Sequence, residues 1–249
     1  MIVVDTSSSM RALDLSDEKD RLEILKEKMH TFIRGGNGLA GRSNDAIGVI
    51  RFAGFADTAS PLSLDHDGLL NIVHKLSLVK SAEEDGTAIG DALALAVSRI
   101  SSAKTESKII ILLTDGENNA GEELPLISAD LAKTENITVY TIGLGTNGVA
   151  PVPVIDRRTG QTRLQAMPVR IDEELLKEIA SRTDGQYFRA TDQYSLSRIV
   201  KRIDQLEKTI IEENRYREYS EYYSVFSIFG LVFLMLGALL DATIFRRFP

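Results

Sequence analysis

The sequence predicts an α/β domain on a doubly wound, Rossmann-like sheet, mostly parallel with helices on both faces, followed by a C-terminal transmembrane helix. Three observations carry this expectation. Apolar runs of strand length alternate with stretches of helical periodicity through the first 205 residues, the order that builds crossover units. One run, Ile109-Ile110-Ile111-Leu112-Leu113, is continuously apolar, as a strand covered by helices on both sides has to be. Residues 224–240, SVFSIFGLVFLMLGALL, are 17 positions without a charge, the composition of a helix in lipid.

Taken in order, strands are expected at Ile2–Val4, Ala46–Phe52, near Thr58–Leu62, and at Lys108–Leu113, Thr138–Gly143 and Gln186–Arg189. Helices are expected between them. Arg21–Ile33 sets Leu22, Leu25, Met29 and Ile33 on one face, and Ala88–Ile100 does the same with Ile89, Leu93, Ala96, Val97 and Ile100. Asp67–Leu76, Leu124–Lys133 and Asp172–Arg182 follow the same period, the last opening on the acidic first turn that the helix dipole favours. Residues 150–168 read as a β-hairpin insertion with Arg157-Arg158-Thr159-Gly160 as its turn. From Ser195 the chain holds no Gly or Pro until Gly230, and Leu196, Ile199, Ile203, Leu206 and Ile210 recur at helical spacing. The expected plan is a domain over 1–205, a helical juxtamembrane stalk over 206–223, a span over 224–245 and a short basic tail over 246–249.

Composition narrows the function classes. With 29 basic against 36 acidic residues, 43% hydrophobic and 26% charged, the chain is a folded, acidic protein. Its first 223 residues carry a net −8, a field that repels nucleic acid and attracts cations. The absence of Cys excludes disulfides, thiolate metal sites and Cys nucleophiles. The 22 residues of the span make about 33 Å of helix. Tyr219, Tyr222 and Tyr223 precede it, Arg246 and Arg247 follow it, and Asp241 lies close enough to its end to reach the interface.

The chemistry falls where strands end. Asp5-Thr6-Ser7-Ser8-Ser9 follows the first strand, Thr114-Asp115-Gly116 follows the fourth, and Glu83-Glu84-Asp85-Gly86-Thr87 precedes a helix. Singly these are caps and turns. Jointly, Asp5, Ser7, Ser9, Thr87 and Asp115 offer only oxygen, two of the five anionic, which suits a hard cation such as Mg²⁺, with Mn²⁺ or Ca²⁺ as substitutes, and argues against zinc. Glu83, Glu84 and Asp85 read as a solvated acidic loop. A metal-dependent hydrolase or phosphotransferase is the alternative, although the chain lacks a P-loop, a Gly-x-Ser-x-Gly elbow and a second Asp two positions after Asp5.

The Asp-x-Ser-x-Ser run of Asp5, Ser7 and Ser9, with Thr87 and Asp115, resembles the metal-ion-dependent adhesion site of the von Willebrand factor type A (VWA) family. That resemblance implies a metal centre with Ser7, Ser9 and Thr87 as direct ligands and Asp5 and Asp115 direct or water-mediated. It further implies a protein partner that supplies an acidic side chain to the ion, and binding rather than turnover. The stretch from Leu113 to Gly121, the Pro-Val-Pro-Val hairpin and the tail ending Arg-Arg-Phe-Pro are similar to the bacterial Bat aerotolerance membrane proteins. From that similarity follow an expected place in the bacterial cytoplasmic membrane, a periplasmic domain, and an assembly with other VWA membrane proteins and a MoxR-type AAA+ ATPase. Such proteins usually carry hydrophobic helices ahead of the domain, whereas this chain opens on its first strand. The hairpin leaves the carboxyl end of the fifth strand, so Arg157, Arg158 and Arg163 are expected to flank the partner's acidic group.

Overall fold

The computed structural model describes all residues except 17, 104, 106, 156–160, 218–222 and 244–249. Its central sheet has six strands: β1 (Ile2–Asp5), β2 (Ile47–Phe52), β3 (Ala56–Ser63), β4 (Ile109–Thr114), β5 (Thr138–Leu144) and a last strand at Tyr187–Ala190. A separate two-stranded ribbon, β6 (Gly148–Ile155) with β7 (Thr162–Val169), comes between β5 and that last strand, β8, along the chain. The order across the sheet is β3-β2-β1-β4-β5-β8. Every pairing is parallel except β2 with β3, where the short connection from Ala53 to Phe55 permits a direct reversal.

Helices cover both faces, and the alternation along β4 shows why. Ile110 and Leu112 point into a core with α3 (Ile89–Ser101), α4 (Pro125–Thr134) and α5 (Glu173–Arg182), contributed chiefly by Leu93, Ala96, Val97, Ala129, Leu176 and Ile179. Ile111 and Leu113 point the other way, toward Leu25 and Met29 of α1 (Arg21–Arg34) and Val200 and Ile203 of α6 (Gln193–Arg217). The helix over His66–Lys75, α2, packs beside α1. Carboxylates fix three of the starts: Asp20, Asp65 and Asp172 accept from the backbone N–H three residues on. The fold class is therefore the one the sequence predicts, with one antiparallel edge.

Contacts divide the chain into Met1–Gln205 and Leu206–Pro249. The second unit holds the rest of α6 and an apolar helix, α7 (Tyr223–Thr243), whose described side chains, 226–240, are all exposed. The expected span over 224–245 is not found as such: among the described residues no helix is long and apolar enough to cross a membrane. Residues 244–249 and the predicted continuity of stalk and span through 218–222 lie outside the described residues.

Candidate metal centre

From β1 the chain passes to β2 on one side and, later, to β4 on the other, so the strand order reverses between β1 and β4. Their carboxyl ends splay at that point, leaving the crevice in which open α/β sheets bind ligands. Asp5 is the last residue of β1 and Asp115 follows β4 directly. Both are buried. Two carboxylates sealed side by side at the top of a sheet have to be compensated, and the surrounding groups show how.

Asp5 Oδ1 accepts the Ser7 backbone N–H at 2.9 Å, and its Oδ2 accepts the Thr114 hydroxyl at 2.6 Å. The chain then turns into a short 3₁₀ segment, Ser8–Arg11, which brings the Ser7 and Ser9 hydroxyls within 2.9 Å of each other. Ser9 donates to Asp115 Oδ1 at 2.6 Å, and Arg21 Nη1 donates to Asp115 Oδ2 at 2.5 Å. Thr87 arrives from the loop before α3. Its hydroxyl lies 3.1 Å from the position a Cβ would take at Gly116, so a side chain there would press on it. Asp5, Ser7, Ser9 and Asp115 thus form one hydrogen-bonded chain, and Thr87 stands over the residue that follows Asp115.

Electrostatics separates the two acids. Burial and the nearby negative charge of Asp115 raise Asp5 to about 7. Burial also pushes Asp115 upward, but Arg21 and the Ser9 hydroxyl pull against it. The pair of acids therefore takes up a proton more readily than free carboxylates do when no cation is present.

Several residues that hold this arrangement carried no signal as site residues in the sequence. Asn119 Oδ1 accepts the Thr87 N–H at 2.8 Å, and Asn118 Oδ1 accepts the Ile89 N–H at 2.8 Å, capping α3 from a distant loop. Asp85, expected in a solvated acidic loop, instead accepts the Ser8 N–H at 2.9 Å and the Ser8 hydroxyl at 2.5 Å. It ties that loop to the serine turn. Arg21 is wholly buried and also grips Asp14 through Nε at 2.7 Å and Nη2 at 2.6 Å. A readable clue existed: Arg21 lies one turn before Leu25 on the apolar face of α1.

The two strands of the expected hairpin pair over 148–155 and 162–169, its expected turn lying outside the described residues, and the first strand is tied to the turn carrying Ser9. Leu13 N–H donates to Pro151 O at 2.9 Å, while Ala12 packs with Ala150, Val152 and Val169. Arg163 lies on β7 opposite Val154 and is exposed. Arg157 and Arg158 lie outside the described residues. Among the described residues no group of three or more His, Cys, Asp or Glu is placed to hold a metal. A cation here would rely on hydroxyls as much as on carboxylates.

A sequence profile of the von Willebrand factor type A domain matches residues 1–202. The chain belongs to the VWA domain family. Two solved VWA-like structures are similar over most of their length. BatB from Bacteroides thetaiotaomicron is 29% identical, with a TM-score of 0.67 over 83% of this chain and 97% of that one. An aerotolerance-related membrane protein from Bacteroides fragilis is 30% identical, with a TM-score of 0.64 over 82% of this chain and 95% of that one. Proximal thread matrix protein 1 of the mussel byssus, solved with a zinc-occupied metal-ion-dependent adhesion site, shares the VWA fold at 22% identity and a TM-score of 0.58, over 80% of this chain and 45% of that one. A Borreliella burgdorferi protein is 29% identical over 195 residues, which are 78% of this chain. The match spans about half, 54%, of that relative's length.

Proposed function

We propose that the VWA domain holds a divalent cation, Mg²⁺ or in its place Mn²⁺ or Ca²⁺, between the ends of β1 and β4. Through that ion it takes an acidic side chain of a protein partner. The observation that carries this reading is the pairing of two buried carboxylates with three hydroxyls at the point where strand order reverses. Hard oxygen donors of that mix leave an ion incompletely neutralised, and it then accepts a further anionic ligand. Ser7, Ser9 and Thr87 would hold the ion, with Asp5 and Asp115 supplying charge directly or through water. The zinc-occupied site of the mussel protein supports the placement of a metal, not the choice of ion.

Partner binding is favoured over turnover because the centre presents hydroxyls already tied to carboxylates, with no histidine among the described residues that bond to it. A cavity of about 330 Å³ beside Thr6, lined by Phe52, Phe55, Val79 and Lys80, gives flanking residues of a partner somewhere to sit. Arg163, with Arg157 and Arg158 of the hairpin turn, would attract the same acidic partner. The reading extends to an assembly at the bacterial cytoplasmic membrane, attached through the exposed apolar helix α7 with the domain on the periplasmic side. A MoxR-type ATPase system belongs to that assembly by resemblance. The name of the Bacteroides fragilis relative, an aerotolerance-related membrane protein, supports the membrane setting.

Thermal unfolding of the full chain with and without Mg²⁺ tests the centre. A ligand bound only by the folded state raises the midpoint, the stabilisation growing with the logarithm of its concentration over its Kd once the site fills. The rise is expected in the wild type and absent when Asp5→Ala and Ser7→Ala are combined. An unchanged rise in that double variant removes the assignment.

A further inference from the structure

We infer that Arg21 is the fixed counter-charge of this centre and sets which ions it accepts, an inference that rests on the metal reading above. Three features single it out. Arg21 is wholly buried, and all three guanidinium nitrogens are engaged: Nε and Nη2 by the two oxygens of Asp14, and Nη1 by Asp115 Oδ2. Asp14 is itself held from behind, since its Oδ2 accepts the Thr146 N–H at 3.0 Å. The backbone makes room for the pair: a Cβ at Gly145, whose φ is +96°, would sit 2.1 Å from Arg21 Nη2. The guanidinium is clamped independently of Asp115, so it stays in place whether or not an ion is present.

Two consequences follow for Asp115. Arg21 occupies Oδ2 while the Ser9 hydroxyl faces Oδ1, so Asp115 offers the centre one oxygen and not a two-oxygen grip. The permanent positive charge of arginine also offsets part of the negative charge that Asp5, Asp14 and Asp115 bring together, one guanidinium against three carboxylates. A centre built this way binds a divalent ion modestly and disfavours ions of higher charge, because the repulsion from Arg21 grows with the charge of the ion. It also leaves the bound ion in need of an anionic ligand, the property the partner reading requires. Arg21 is a positioning and specificity residue, acting through Asp115 and through its field.

The test compares Mg²⁺ and Tb³⁺ affinities by calorimetry on the purified full chain, in the wild type, Arg21→Gln, and Arg21→Gln combined with Asp14→Asn. Removing the counter-charge alone is expected to tighten Mg²⁺ about tenfold and Tb³⁺ about thirtyfold, since the gain scales with ionic charge. The double variant removes one charge of each sign and should return both affinities to within about threefold of the wild type. If Arg21 only shapes the site, both variants weaken both ions together, and that outcome overturns the inference. Should Arg21→Gln fail to fold, Arg21→Lys keeps the charge and loses the fork: affinities for Mg²⁺ and Tb³⁺ that both stay within about threefold of the wild type support the inference, and a larger loss of both ions or a shifted ratio overturns it. A wild-type chain that binds neither ion removes the metal reading and this inference with it, whereas a wild type that binds while the variants lose both ions alike removes only the inference.

Discussion

The polar centre and the β6–β7 ribbon lie on either side of the same serine turn, yet they are built on opposite terms. At the centre, Asp5, Ser7 and Asp115 are buried and Ser9 is half-buried; Asp5, Ser9 and Asp115 each bond to a different loop or strand, while Ser7 bonds to Asp5 and Ser9 within its own turn. On the ribbon, one face packs Ala150, Val152 and Val169 against Ala12, and the other presents Val149 and Leu164, each 64% exposed. Buried polarity must be satisfied by specific geometry or it costs stability. Exposed apolar surface costs little in the folded chain and has its value only when something covers it. The two regions therefore differ in what a substitution does: at the centre it should be felt by the fold, on the ribbon by a partner.

The largest expected effect is at the centre. Asp115→Ala strips Arg21 of one of its two acids and leaves part of a buried guanidinium unpaired, which typically costs about 3–5 kcal/mol. Denaturant unfolding of the metal-free chain measures it. A loss under about 1 kcal/mol would show that Asp14 alone satisfies Arg21, and the centre would then be no stiffer than the ribbon.

Acidity sharpens the same contrast. The folded chain holds the Asp5 proton up to about 7, while the unfolded chain gives it up near the ordinary carboxylate value. Between those two values the folded state binds more protons than the unfolded one, so metal-free stability should fall as pH rises from about 4 through about 7. A cation that replaces the proton should reverse the trend, its stabilising effect growing across the same window. Unfolding midpoints at pH 5 and pH 8, with and without Mg²⁺, read both slopes. A metal effect larger at pH 5 would contradict competition between the proton and the cation for this pair of acids.

Gly145 sits between the two regions, at the root of the ribbon, and a substitution there should fall between them in size. A Cβ on a backbone at φ +96° is strained by itself and would also meet Arg21 and Asp14. Gly145→Ala should cost about 1–3 kcal/mol and loosen the Asp14 clamp on Arg21. The check is a metal titration of that variant beside its unfolding curve: weaker stability with unaltered metal affinity would mean that the clamp does not reach Asp115.

How far the sequence reveals each region follows from the range of its contacts. The strands, the helices and the ribbon come from local periodicity, and four of the five proposed ligands come from short runs at strand ends, with Thr87 in the loop before α3, so both are visible in the chain as written. The supports of the centre are not local: Arg21 and Asp115 are 94 positions apart, and Asn119 and Thr87 are 32 apart. Asp85 looked like part of a solvated acidic loop because nothing near it in sequence shows that Ser8 sits across from it. The antiparallel edge of β3 was also hidden, since half-exposed strands carry the same alternation in either direction.

The smallest expected effect belongs to the ribbon's outer face, and it decides whether the contrast holds. Across the ribbon Val149 pairs with Pro168, Pro151 with Ala166 and Pro153 with Leu164, so these six share one face. Pro151 sends its carbonyl outward to Leu13, which places the prolines of β6 at positions that owe no N–H to β7. The apolar face is thus presented without loss to the ribbon's own hydrogen bonds. Replacing Val149 and Leu164 together by Ser should change stability by no more than about 0.5 kcal/mol, leave Mg²⁺ affinity unaltered, and weaken capture of an acidic partner if the ribbon joins that surface. A destabilisation above about 1 kcal/mol would mean that this face is packed in the full chain and that the ribbon is core, not surface.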